Sequence, residues 1–162
     1  MTNWHEEVEN ALTAFVTVAE LAGDPIPRTM MVVEYLDAPH NQPTRLPAGK
    51  MAVYGFWGEG VWLKIGKAGP NSNARYTSQH YNLGSAQSTL AGSLANDPRM
   101  QSVNGFDPQA PGGWIKAATH RVNILLPSRR QKELLSLLEA FLHLRLRPLY
   151  EGITTVEEVG EE

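Results

Sequence analysis

The sequence predicts an α/β fold: a small, mostly antiparallel three-stranded sheet flanked by helices, preceded by an N-terminal helix and strand extension. Three observations carry this. Residues 50–57 and 61–67 are strand-like runs on either side of Gly58-Glu59-Gly60. A later run alternates Val122, Ile124 and Leu126. Apolar residues recur at helical spacing near both ends of the chain.

Each element follows from local chemistry. Val8, Leu12, Phe15, Val16 and Ala19 place a helix over Trp4–Leu21, which Gly23, Asp24, Pro25 and Pro27 stop. Residues 29–36, rich in Met, Val and Tyr, read as a strand, and 38–49 with three prolines as a loop or linker. Gly58-Glu59-Gly60 reads as a three-residue hairpin turn. If Trp57 pairs with Val61, Tyr54 lies opposite Lys64, and Ala52 pairs with Gly66. Ser72 caps a short helix over 73–81, with Arg75 in its first turn and Gln79 four residues on. Residues 88–95 read as another helix, 100–113 as a long loop and 117–126 as a strand. Ser128 and Gln131 form a capping box for a last helix, which Pro148 ends.

A chain of 162 residues suits one domain with a real core. No apolar run approaches the roughly 18 residues of a membrane span, so no membrane association is expected. The acidic start is unlike a signal peptide, and the absence of cysteine excludes disulfides, thiolate metal sites and cysteine nucleophiles. The expected location is cytoplasmic. The net charge of −3 hides a strong asymmetry. Residues 1–44 hold seven acids and one base, residues 45–150 thirteen bases and five acids, and residues 151–162 five acids. A basic body between acidic ends is compatible with phosphate binding, because that depends on the local field rather than the total.

Several familiar motifs fail. Gly60 to Gly66-Lys67 has the wrong spacing for a phosphate loop, no Ser or Thr after the lysine, and a strand-like interior. His5-Glu6-Glu7-Val8-Glu9 lacks the second histidine of a zinc-protease helix, and the five histidines show no metal-ligand spacing. Glu139 is different: it borders the apolar stripe of the last helix, where a carboxylate needs a cation or a metal. Three readings stand: a metal or catalytic role, a buried salt bridge to Arg121 or Arg145, and simple partial exposure. Taken singly, Tyr54 reads as core and Arg75 as surface.

The ordered set changes that. Ala52-Val53-Tyr54, then Lys64-Ile65-Gly66-Lys67 ten residues on from the tyrosine, then Arg75, then Glu139 with Pro148 nine and Tyr150 eleven residues later, resembles the GIY-YIG nuclease family. The resemblance covers about residues 50–151. It divides the chain into an extension and linker over 1–45, a nuclease-like domain over 46–151 and an acidic tail over 152–162. The departures are Lys64 in place of the second tyrosine, Gln79 in place of the histidine or tyrosine that often follows the arginine (His80 and Tyr81 come next), and Glu151 in place of the asparagine often found after Tyr150.

What the resemblance implies is a metal-dependent endonuclease that hydrolyses phosphodiester bonds by in-line attack of water, with DNA as the expected substrate. Glu139 would hold one Mg²⁺ (or Mn²⁺). Tyr54 would orient or deprotonate the water, with Lys64 supplying the nearby charge, and Arg75 would clamp the scissile phosphate. Lys67, Gln79, His80 and Tyr81 are further candidates for substrate contact. The N-terminal extension is a candidate for homodimer formation or a larger complex. The alternatives are a nucleic-acid-binding module on the same fold without cutting activity, and a protein-interaction domain that uses the acidic ends.

Overall fold

The computed structural model describes residues 3–150. The acidic tail and Glu151 lie outside the described residues. The elements run α1 (Trp4–Leu21), β1 (Val32–Leu36), β2 (Lys50–Gly58), β3 (Val61–Ala68), α2 (Asn73–Thr77), α3 (Leu90–Ala95), α4 (Pro111–Ala118), β4 (His120–Pro127) and α5 (Lys132–Leu146). Short 3₁₀ turns cover Arg28–Met30, Gln79–Tyr81 and Pro98–Ser102. The class is α/β, but the sheet has four strands, in the order β1-β4-β2-β3, all antiparallel. The strand expected in the extension supplies the fourth, pairing Val33 with Ile124 and Tyr35 with Val122.

Helices cover both faces of the sheet. On one, α1 and α5 bury Val8, Leu12, Phe15, Leu135, Leu138 and Leu142 against Val53, Ile65, Val122 and Ile124. On the other, α2, α3 and α4 bury Tyr76, Leu90, Leu94 and Ile115 against Ala52, Tyr54, Phe56 and Leu125. This explains why β2 is apolar at nearly every position rather than at alternate ones. Among the described residues no helix is long and apolar enough to cross a membrane.

The hairpin corrects the expected register. Its loop has two residues, not three: Glu59 and Gly60 both have positive φ (53° and 77°), the conformation of a type I′ turn, and Gly58 pairs with Val61. A bulge follows. Trp57 opposes Trp62 but Phe56 opposes Lys64, so β3 carries one extra residue, Leu63. Tyr54 therefore faces Gly66 rather than Lys64, and Ala52 faces Ala68 rather than Gly66. Tyr54 and Lys64 still share a sheet face, on the diagonal.

The later elements also differ from expectation. The helix expected over 73–81 breaks into α2 and a 3₁₀ turn, and the one expected over 88–95 begins at Leu90. The long loop over 100–113 gives way at Pro111 to α4, proline suiting the first turn of a helix. The capping box at Ser128 does not form: Gln131 is the N-cap of α5, without a side-chain cap. At the other end of α5, Arg147 turns left-handed (φ 50°) and Pro148 follows. Leu149 and Tyr150 then lie along the hairpin end of β3, donating their amides to the carbonyls of Trp62 and Leu63 (both 2.9 Å).

Candidate active site at the edge of β3

Four separate stretches of sequence meet where β3 forms the edge of the sheet. Central strand β2 supplies Tyr54, and β3 supplies Lys64 and Lys67. From one face, α2 and the turn after it bring Arg75 and His80. From the other, α5 lies along β3 and brings Glu139. Polar contacts add to the apolar packing of α5 on β3: Lys67 Nζ donates to Ser136 Oγ (2.9 Å), Lys67 Nζ lies 3.7 Å from Glu139 Oε1, and His143 Nε2 donates to the Ile65 carbonyl (3.0 Å). Glu139 is thus paired with Lys67, not with Arg121 or Arg145.

Tyr54 is fully buried, its ring lying across Gly66. A Cβ on Gly66 would sit 2.9 Å from the Tyr54 hydroxyl oxygen and 3.0 Å from two ring carbons. The buried ring cannot swing away. Gly66→Ala is expected to cost about 1–3 kcal/mol in a denaturant titration, through overpacking.

The hydrogen bonds around Tyr54 fix its protons. The Leu90 amide donates to His80 Nδ1 (3.1 Å), so that nitrogen carries the lone pair. His80 Nε2 therefore bears the proton and donates it to the Tyr54 oxygen at 2.8 Å. Burial, with the charges of Arg75, Lys64 and Arg121, lowers His80 to about 2, so the ring stays neutral. Burial also pushes the Tyr54 hydroxyl up to about 12, while the Arg75 and Arg121 cations pull it down and the Glu139 carboxylate pushes it up. Arg75 and Arg121 are the cations that offset part of this rise. With its hydroxyl near 12, only about one Tyr54 in 10⁵ is ionised at pH 7.

A depressed histidine links stability to pH. Below about pH 6.5 the unfolded chain takes up a proton that folded His80 refuses. Stability therefore falls as pH drops from about 6.5 towards 2, by about tenfold in the unfolding equilibrium per pH unit. His40 and His120, lowered chiefly by burial, act in the same sense. Denaturation midpoints at pH 7.5 and pH 5 measure this; the midpoint falls on acidification, and His80→Gln flattens the slope. A midpoint that rose would contradict it.

Lys64 is also buried, and its Nζ donates to Ser88 Oγ (3.1 Å). Arg75 donates to the carbonyls of Gln87 (3.2 Å) and Ser88 (3.4 Å). Gln79 lies in the turn between Arg75 and His80, and the Tyr81 hydroxyl is directed elsewhere. Gln79 offers its backbone carbonyl to Ser85 Oγ (2.9 Å). Tyr81 turns into a second network, donating to His40 Nε2 (2.8 Å) and accepting from Arg121 Nη1 (3.2 Å).

Arg121, which the sequence offered only as a partner for Glu139, has a different role. It is fully buried on β4, and among the described residues no carboxylate pairs with it. Its guanidinium donates to Asn123 Oδ1 (2.7 Å), the Tyr76 carbonyl (2.7 Å) and the Tyr81 hydroxyl. It lies 4.8 to 5.9 Å from the ring centres of Tyr54, Tyr76, Phe56 and Tyr81. Ring faces and neutral acceptors hold this cation where an acid usually would.

A metal ion would find one carboxylate here. Glu139 is a quarter exposed, beside an open surface hollow of about 450 Å³ shared with Ala140, His143, Leu144 and Arg147. Among the described residues no three His, Asp or Glu side chains converge to hold a metal. One accessible carboxylate with room for water fits Mg²⁺, which keeps much of its hydration shell.

Compared with known proteins, the chain matches no family model, no curated protein and no solved structure.

Proposed function

We propose that the chain is a metal-dependent nuclease of the GIY-YIG type, cutting phosphodiester bonds in nucleic acid, with DNA as the substrate. The observation that carries this is the meeting of Tyr54, Lys64, Arg75 and Glu139 at one edge of β3, although the chain separates them by up to 85 positions. The tyrosine, a cation in the second-tyrosine slot, the arginine and the carboxylate occur together, in the family's order. Core packing alone does not require it.

In this reading Arg75 grips the scissile phosphate with its planar fork and offsets charge developing there. Lys64 adds a second cation. Tyr54, whose oxygen already accepts from His80, uses its own O–H and remaining lone pair to orient the attacking water; at its raised pKa it is not itself a ready base. Glu139, with Lys67 moved aside, would hold the Mg²⁺ or Mn²⁺. When bound, that ion supplies Lewis-acid stabilisation of the phosphate and leaving oxygen.

One observation favours a second reading, binding without cutting: Tyr54 and Lys64 are closed off from solvent and Glu139 is paired with Lys67. Incubation with plasmid, single-stranded DNA and RNA, in Mg²⁺, Mn²⁺ or chelator, separates the two. The nuclease reading expects products that chelation abolishes. Salt-sensitive binding without products from any substrate would leave the binding module.

A further inference from the structure

Arg75 and Lys64 are the cations best placed to grip a phosphate, and the chain's own oxygens already engage both. The carbonyls of Gln87 and Ser88 accept from the two terminal nitrogens of Arg75, and Ser88 Oγ accepts from Lys64 Nζ. Three oxygens from two consecutive residues converge on two cations, much as the oxygens of one phosphate group would. Ser88 holds a left-handed conformation to do this (φ 55°), which a non-glycine residue keeps only where its surroundings impose it.

The segment lies at the surface. Asn82, Leu83, Gly84, Ser85, Gln87 and Ser88 are exposed, and Gly84 turns the chain with φ 71°. On the inner side, Tyr54 and Lys64 are 0% and 5% exposed. On the α5 side, the side chains of Lys67 and Glu139 remain 42% and 25% exposed. The site is open at Glu139 and closed over Tyr54 and Lys64, with Arg75 partly exposed under residues 87–88.

We infer that residues 82–89 are a strap occupying the phosphate position of the site, and that a phosphate group of the substrate displaces it. The identity of the substrate rests on the nuclease reading above. Neutral carbonyl and hydroxyl oxygens hold a guanidinium and an ammonium less strongly than a phosphate anion does, so the exchange favours substrate. Closure also lowers the apparent affinity by the fraction of molecules held shut.

The test uses the whole chain without metal, so that nothing is cut. A short single-stranded DNA oligonucleotide is titrated by fluorescence anisotropy, hydrogen exchange is followed in residues 82–89, and acetylation of Lys64 is read by mass spectrometry. Bound DNA is expected to speed exchange in the strap while protecting Lys64. Ser88→Ala, without DNA, is expected to raise Lys64 acetylation by about tenfold, because it removes a hydrogen bond from a charged group. If the oligonucleotide binds and strap exchange stays unchanged, the strap proposal is overturned while the nuclease reading survives. If neither the native chain nor Ser88→Ala binds the oligonucleotide, both fall. The native-chain exchange measurement decides the matter even if Ser88→Ala does not fold.

Discussion

Tyr54→Phe is expected to slow phosphodiester cleavage by about 10²–10⁴-fold, the range for losing a group that handles the reacting proton or water. The ring stays, with its edge contacts to Phe56, Tyr76 and His80 and its place beneath Arg121. What goes is the hydroxyl that accepts from His80 Nε2. That leaves a buried N–H without its acceptor, so the variant is also expected to lose about 1–3 kcal/mol of stability. Single-turnover rates at saturating DNA, taken where denaturation curves show both proteins folded, separate the two effects. Equal rates in native protein and variant would remove Tyr54 from the site.

Arg121→Ala is expected to have the largest effect on stability, a loss of about 3–5 kcal/mol. The substitution opens a cavity between four rings and strips donors from the Tyr76 carbonyl, the Tyr81 hydroxyl and Asn123. The Tyr81 hydroxyl links onward to His40, whose Nδ1 donates to the Thr119 carbonyl (2.7 Å), so the loss spreads to the start of β4. In a chain of this size the melting temperature should drop by roughly 10 °C. Arg121→Lys restores little, because an ammonium cannot reproduce the planar fork that reaches three acceptors. A melting temperature within about 2 °C of native, less than 1 kcal/mol in a chain of this size, would mean that Arg121 does not hold this face together.

The hairpin was readable because Gly58-Glu59-Gly60 stands between two apolar runs, and turn residues announce themselves locally. Its register was not, because nothing local marks Leu63 as the bulged residue; as a result Lys64 faces Phe56 instead of Tyr54, and Gly66 faces Tyr54 instead of Ala52. The strand in the extension was legible, but its pairing with β4, 91 positions away at Val33–Ile124, depends on long-range packing. Helices on both faces also disguised β4. Arg121 and Asn123 alternate with Val122 and Ile124, which reads as one wet face, yet α2 to α4 cover it and turn the polar positions into a buried network. In the site, the order and spacing of Tyr54, Lys64, Arg75 and Glu139 could be read from the chain. The Tyr54–His80 contact, the Lys67 partner of Glu139 and the strap at Ser88 could not, since each depends on how separate elements dock.

The most direct measurement compares plasmid nicking by native protein and Glu139→Ala in Mg²⁺. Glu139 lies on the partly exposed flank of α5 and its pairing with Lys67 is partly solvated, so the substitution should change stability by no more than about 1 kcal/mol. If Glu139 holds the ion, native protein nicks the plasmid and the folded variant is slower by at least about a thousandfold, several kcal/mol of lost transition-state stabilisation. Equal nicking by both proteins would contradict a metal site at Glu139.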